Sequence, residues 1–106
     1  MEQTLKVNGI IVDRISEEEA KGAQFIGILK NNSYKELTEK LGQPTKVDDG
    51  KTRIQWVIRA EGIVFCIYDY RDSAIEVGML KNWHIGSNRS SEEAAPMINR
   101  LFFNKF

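Results

Sequence analysis

Residues 54–68 read Ile-Gln-Trp-Val-Ile-Arg-Ala-Glu-Gly-Ile-Val-Phe-Cys-Ile-Tyr. In the first half, apolar side chains at every second position (Ile54, Trp56, Ile58) alternate with glutamine, valine and arginine, which is the two-residue period of a β-strand. A Glu-Gly turn follows. Residues 63–68 are the most apolar run of the chain, which is typical of a central strand. The stretch therefore predicts a hairpin in the middle of a sheet.

Further strands and two helices are predicted on either side of this hairpin. The Asn-Gly pair within residues 5–12 favours a tight hairpin turn, so we expect a short strand or ribbon there, and residues 24–29 also resemble a strand. A helix begins at Ser33, which can cap it, and ends at Gly42. A second helix starts near Ser90 and carries an apolar stripe toward the end of the chain. This order predicts an α+β fold, with a small antiparallel sheet of about four or five strands and helices packed on one face.

Composition restricts the class of protein. At 106 residues we expect a single domain spanning residues 1–106. Fifteen basic and fifteen acidic residues give no net charge, which argues against a partner such as duplex nucleic acid. Cys66 is the only cysteine, and the polar start of the chain lacks the apolar core of a signal peptide. No apolar run approaches the length of a membrane span, so we expect a cytoplasmic protein without a membrane partner.

Few residues suggest catalysis. One cysteine and one histidine cannot supply the four ligands of a structural zinc site. Cys66 lies mid-strand between apolar residues, where a cysteine usually behaves as a small buried hydrophobe. His84 lacks a nucleophile at a recognisable spacing. The sequence therefore predicts a protein that is not an enzyme, with no catalytic residues, metal or cofactor.

Aromatic residues near the carboxyl-terminal third suggest ligand binding instead. Trp83 and His84 follow a strand that ends with Tyr68 and Tyr70. The two tyrosines share one strand face by their spacing. Aromatic rings can stack on a nucleobase. Trp83 has two open alternatives, a core anchor or a stacking platform, and we expect it to line the site together with His84.

Cationic side chains near these rings are candidate phosphate ligands. Arg71, Lys51 and Arg53 could each donate charge-assisted hydrogen bonds to phosphate oxygens, and His84 could bind a phosphate or a base edge. A solvated surface charge is the ordinary alternative for any one of them.

The chain also resembles a family of small proteins encoded by bacteriophages. The shared pattern is a Tyr- and Leu-bearing helix, Gly-x-Pro, a Lys-containing turn, two strands and Trp-His-Ile-Gly. The matching residues are Gly27, Tyr34, Leu37, Gly42-Gln43-Pro44, Lys51, Trp56, Ile67-Tyr68-Asp69-Tyr70-Arg71 and Trp83-His84-Ile85-Gly86. The chain departs from this pattern at Gln55, Arg71 and Ser87.

This pattern is similar to that of viral sponges that evade cyclic-oligonucleotide (CBASS) immunity. The resemblance implies a phage anti-defence protein in the host bacterial cytoplasm. It also implies a homo-oligomer, a dimer or tetramer, that binds a cyclic dinucleotide such as cyclic GMP-AMP without cleaving it.

Two other functions remain open. The helix-then-sheet order also resembles β-lactamase inhibitory proteins, which would make the chain a protein-binding inhibitor. The other is an enzyme that acts on a nucleotide through His84.

Overall fold

The computed structural model describes residues 3–47, 49–70 and 75–102, without the side chain of Gln3. The strands are β1 (Gln3–Val7), β2 (Ile10–Arg14), β3 (Gln24–Leu29), β4 (Thr45–Lys46), β5 (Ile54–Ala60), β6 (Ile63–Tyr68) and β7 (Trp83–Ser87). The α-helices are α1 (Tyr34–Leu41) and α2 (Ser91–Phe102), and short 3-10 helices span Glu17–Ala20 and Val77–Met79.

The described strands form one antiparallel sheet in the order β1-β2-β5-β6-β7-β3, and β4 pairs with β5. The α+β class and the antiparallel sheet are as predicted. The predicted number of strands was wrong, because the sheet has seven rather than four or five. Residues 3–14 contribute two full strands, and the two residues of β4 are too few to show a period.

Two tight turns close the hairpins predicted from sequence. Asn8 and Gly9 have φ angles of 51° and 82°, and Glu61 and Gly62 have 49° and 81°. Two successive positive φ angles define the turn type whose twist matches that of paired strands. The central β5–β6 hairpin therefore forms as residues 54–68 indicated, and these are the two middle strands of the sheet.

Both helices pack on one face of the sheet. Their buried side chains join the inward-facing residues of the strands in a single apolar cluster, and a smaller cluster lies on the opposite face around Val57 and Val64. Ser33 accepts a hydrogen bond from the backbone N–H of Glu36 at 3.1 Å, and Gly42 ends α1 with a φ of 84°. The capping signals therefore mark both ends of α1 correctly.

Two fully buried indoles connect α1 to the sheet. Trp56 and Trp83 meet edge to face, with ring centroids 5.2 Å apart. Trp56 Nε1 donates a hydrogen bond to the carbonyl of Gly42 at 2.7 Å, and Trp83 Nε1 donates to the carbonyl of Asn32 at 2.8 Å. These carbonyls lie just after and just before α1, so the indole pair fixes both ends of the helix against the sheet.

We expect Trp83→Phe to lower the free energy of unfolding by about 1–3 kcal/mol, because the buried carbonyl of Asn32 would lose its donor. Urea denaturation followed by circular dichroism measures this change. The matched control is Tyr34→Phe, which removes a hydroxyl that only reaches Gln43 at 3.5 Å in an exposed position and should change stability by less than about 0.5 kcal/mol. Equal effects of the two substitutions would contradict the assigned role of the indole.

Candidate ligand-binding site

An aromatic cluster lies on the sheet face opposite the helices. His84 lies at its centre. Because His84 follows the buried Trp83 in β7 and successive strand residues point to opposite faces, its imidazole faces away from the core. The imidazole centroid lies 5.2 Å from the Phe25 ring, 5.4 Å from the Tyr70 ring and 5.6 Å from the Tyr68 ring. We call these four residues the aromatic cluster.

The two tyrosines reach the cluster in the way their spacing predicted. Tyr68 is the last residue of β6 and pairs directly with His84 in β7. Tyr70 lies two positions further on and packs edge to face against Tyr68, with centroids 6.3 Å apart. Asp69 between them points the other way and is fully buried. The two rings therefore share one face, with Asp69 on the other, as their spacing predicted.

Asp69 holds the end of this strand in place. Its Oδ1 accepts hydrogen bonds from the backbone N–H groups of Arg53 and Ile54, at 2.9 and 3.1 Å. Its Oδ2 accepts a hydrogen bond from Arg53 Nε at 2.7 Å, which also makes a salt bridge. One buried carboxylate thus ties the chain beyond β6 to the start of β5 and fixes the base of the aromatic cluster.

Phe25 is the cluster residue that sequence reasoning missed. It is 56% exposed on the outer strand β3. A β-bulge between Phe25 and Gly27 shifts the pairing with β7, so that Phe25 pairs with Gly86 and Ile28 pairs with His84. Because a bulge inserts an extra residue, Phe25 and Ile28 lie on the same face although they are three positions apart. Gly27, inside an apolar strand, was the available signal of this bulge.

Gly86 permits the close approach of β3. A Cβ atom at this position would lie 3.3 Å from the carbonyl oxygen of Gln24. The residues of the Trp-His-Ile-Gly stretch therefore have different structural roles. Trp83 and Ile85 fill the core, His84 faces outward, and Gly86 leaves room for the neighbouring strand.

A cavity of about 210 Å³ adjoins the aromatic cluster and shares Phe25 and Tyr68 with it. Its other walls come from the segment after the first 3-10 helix, from the turn that precedes β5, and from the outer sheet face; they include Ala23, Thr52 and Gln55. The cavity thus has two aromatic walls and several polar side chains, among them Gln55, Thr52 and the carboxylate of Asp49. Aromatic walls with a few polar groups are the elements of a site for a flat heterocycle.

Cys66 also lines this cavity, and its thiol is not activated. Burial, with a smaller contribution from the negative charge of Glu17, raises the pKa of Cys66 to about 11. Burial likewise raises the pKa of Tyr68. Both groups therefore stay neutral at physiological pH, and neither adds a charge to the cavity.

Trp83 does not belong to this surface. Its side chain is 0% exposed and lies in the core against Trp56. Of the two roles that the sequence left open, the structure shows the core anchor. The expectation that Trp83 and His84 line one site was wrong, because adjacent residues of a regular strand point to opposite faces.

The cationic side chains that were predicted to bind phosphate are placed less favourably for ligand binding than the aromatic rings. The guanidinium of Arg53 is engaged by Asp69, and its side chain is 31% exposed. Lys51 is exposed, in a turn where its backbone N–H donates a hydrogen bond to Asp49 Oδ1 at 3.0 Å. Arg71 lies outside the described residues. The structure thus brings His84 together with Tyr68 and Tyr70, whereas Asp69 holds the guanidinium of Arg53 and Lys51 lies in an exposed turn before β5.

Within residues 3–47, 49–70 and 75–102, no cluster of three or more His, Cys, Asp or Glu side chains is suited to hold a metal ion. The helices within these ranges are too short or too polar to cross a bilayer.

Comparisons with known proteins found no match to this chain among protein-family models, curated proteins or solved structures.

We expect Asp69→Ala to destabilise the fold by about 3–5 kcal/mol, because it leaves two backbone N–H groups and a guanidinium without their buried acceptor. Equilibrium urea unfolding measures the loss. Arg100→Ala is the control, since it breaks only the exposed salt bridge to Glu61 and should cost less than about 1 kcal/mol. A small effect of the Asp69 substitution would refute its structural role.

We expect Cys66 to react with iodoacetamide at pH 8 about a hundredfold more slowly than free cysteine. A pKa of about 11 leaves a very small thiolate fraction, whereas an ordinary thiol is partly ionised at that pH. Mass spectrometry of timed samples gives the rate. The same protein in urea is the control and should be labelled rapidly. Equal rates for folded and unfolded protein would show that the thiol is not protected.

Proposed function

We propose that this protein binds a cyclic oligonucleotide immune signal, such as cyclic GMP-AMP, and sequesters it without cleaving it. In this proposal it is a phage anti-defence protein that acts in the cytoplasm of an infected bacterium. The observation that supports the proposal is the aromatic cluster on the outer sheet face beside a cavity of about 210 Å³.

The magnitudes are compatible with useful affinity. Stacking on an aromatic side chain contributes about 1–3 kcal/mol per base. A charge-assisted hydrogen bond to a phosphate adds roughly 1.5–3 kcal/mol before the costs of association. Micromolar binding needs about 8 kcal/mol. Two stacked bases and two phosphate contacts can reach this value, so a ligand with two bases fits such a site better than a mononucleotide.

The size of the cavity favours a shared site. Pockets that enclose a drug-sized ligand usually measure about 300–1,000 Å³, and this cavity measures about 210 Å³. It therefore suits one base, while a cyclic dinucleotide carries two. We propose that two copies of the chain hold one ligand, each copy taking one base.

Isothermal titration calorimetry with a panel of cyclic di- and trinucleotides tests this function. We expect saturable binding of at least one cyclic dinucleotide, with one ligand bound per two chains. Mass spectrometry after denaturing the complex should recover the ligand intact. The absence of binding to every member of the panel would reject the proposal, and recovery of cleaved ligand would identify a nuclease instead.

Phe25→Ala should weaken binding of that ligand by about 5- to 150-fold, which corresponds to the loss of 1–3 kcal/mol of stacking. The control substitution Ile11→Ala should leave the affinity unchanged, because it removes another exposed apolar side chain, on strand β2 away from the aromatic cluster. An effect of Phe25→Ala no larger than that of Ile11→Ala would remove the aromatic cluster from the site.

A further inference from the structure

Gln55 presents one fixed hydrogen-bonding atom to the cavity. Its Nε2 donates a hydrogen bond to Glu17 Oε1 at 2.7 Å. An ionised carboxylate only accepts hydrogen bonds, so the amide must turn its NH₂ group toward Glu17. The carbonyl oxygen Oε1 is then the atom left for a ligand, and within the described part of the chain it accepts no hydrogen bond.

The position of Gln55 brings this oxygen close to the aromatic walls. Gln55 pairs directly with Tyr68 across the β5–β6 hairpin, and paired residues point to the same face. Both residues line the cavity, together with Phe25. A flat base that stacks on Phe25 or Tyr68 would therefore present its edge to the side wall formed by Gln55.

Glu17 reaches Gln55 from an independently fixed segment. It is the first residue of the 3-10 helix Glu17–Ala20, whose entry is held by a hydrogen bond from the backbone N–H of Ser16 to Glu19 Oε2 at 3.4 Å. The hydrogen bond from Gln55 Nε2 at 2.7 Å places its carboxylate next to a residue that lines the cavity. Glu17 thus orients the amide without lining the cavity itself.

We propose that Gln55 is a specificity-determining residue that selects an amino-substituted purine, adenine or guanine, by accepting a hydrogen bond from its exocyclic amine, and that Glu17 is the positioning residue for its amide. This inference rests on the proposed function and names the class of base that the site takes. An acceptor at this point favours a purine whose facing edge carries an amine, because removing that amine removes the N–H that would bond to Gln55 Oε1.

The discriminating measurement is the ratio of two dissociation constants. Calorimetry compares cyclic di-AMP with the same cyclic dinucleotide in which unsubstituted purine replaces adenine, so that the pair differs only in the amine. If cyclic di-AMP does not bind, the pair is cyclic di-GMP and cyclic di-IMP, which differ in the same way. We expect the wild-type protein to prefer the ligand with the amine by about tenfold, the usual value of one hydrogen bond.

Substitutions of Gln55 and Glu17 test whether these two side chains cause the preference for the ligand with the amine. Gln55→Leu should bring the ratio close to one while stacking keeps the overall binding measurable. Glu17→Gln should also reduce the ratio, because a neutral amide no longer dictates which way Gln55 turns. Glu18→Gln, a neighbouring exposed glutamate of the same 3-10 helix, is the matched control and should keep the full preference. Thermal melts establish that each variant is folded.

The outcomes separate the inference from the function on which it rests. Equal affinity of the wild-type protein for the two ligands of a pair would overturn the role of Gln55 and leave nucleotide sequestration intact. A preference that survives Gln55→Leu would also overturn it. Failure of every cyclic nucleotide to bind would instead reject the proposed function.

Discussion

The contact between two buried indoles determines how this molecule is arranged. Trp56 and Trp83 pack edge to face in the core, and each donates its N–H to a carbonyl at one end of α1. A buried carbonyl without a donor is costly, so both strands and the helix are held in one mutual orientation. This arrangement commits Trp83 to the inside. Because side chains alternate along a strand, His84 must then face outward.

The sheet face opposite the helices has two parts, one covered by another segment of the chain and one partly exposed. The segment that carries the first 3-10 helix packs Ala20 against the small cluster around Val57 and Val64. Toward the outer strand β3, the aromatic cluster remains partly exposed. Asp69 points to the inner face of the sheet, where its hydrogen bonds join the chain beyond β6 to the start of β5. Its sequence neighbours Tyr68 and Tyr70 point to the outer face. A structural carboxylate thus supports the outward-facing rings of the aromatic cluster.

The candidate site joins segments that are far apart in the sequence. Phe25 comes from β3, Gln55 and Tyr68 come from the central hairpin, and His84 comes from β7. Only the β-bulge in β3 and the missing side chain at Gly86 bring Phe25 onto the face of His84. The cavity that these segments enclose is correspondingly small, at about 210 Å³.

The sequence by itself determined the features that depend on local patterns. The period of residues 54–68, the Asn8-Gly9 turn, the Ser33 cap and the shared face of Tyr68 and Tyr70 all follow from chain geometry over a few residues. Tertiary structure decided the rest, including the burial of Trp83, the pairing of Arg53 with Asp69 and the place of Phe25 in the site. These depend on which strands become neighbours and on which face the helices cover, and long-range packing sets both.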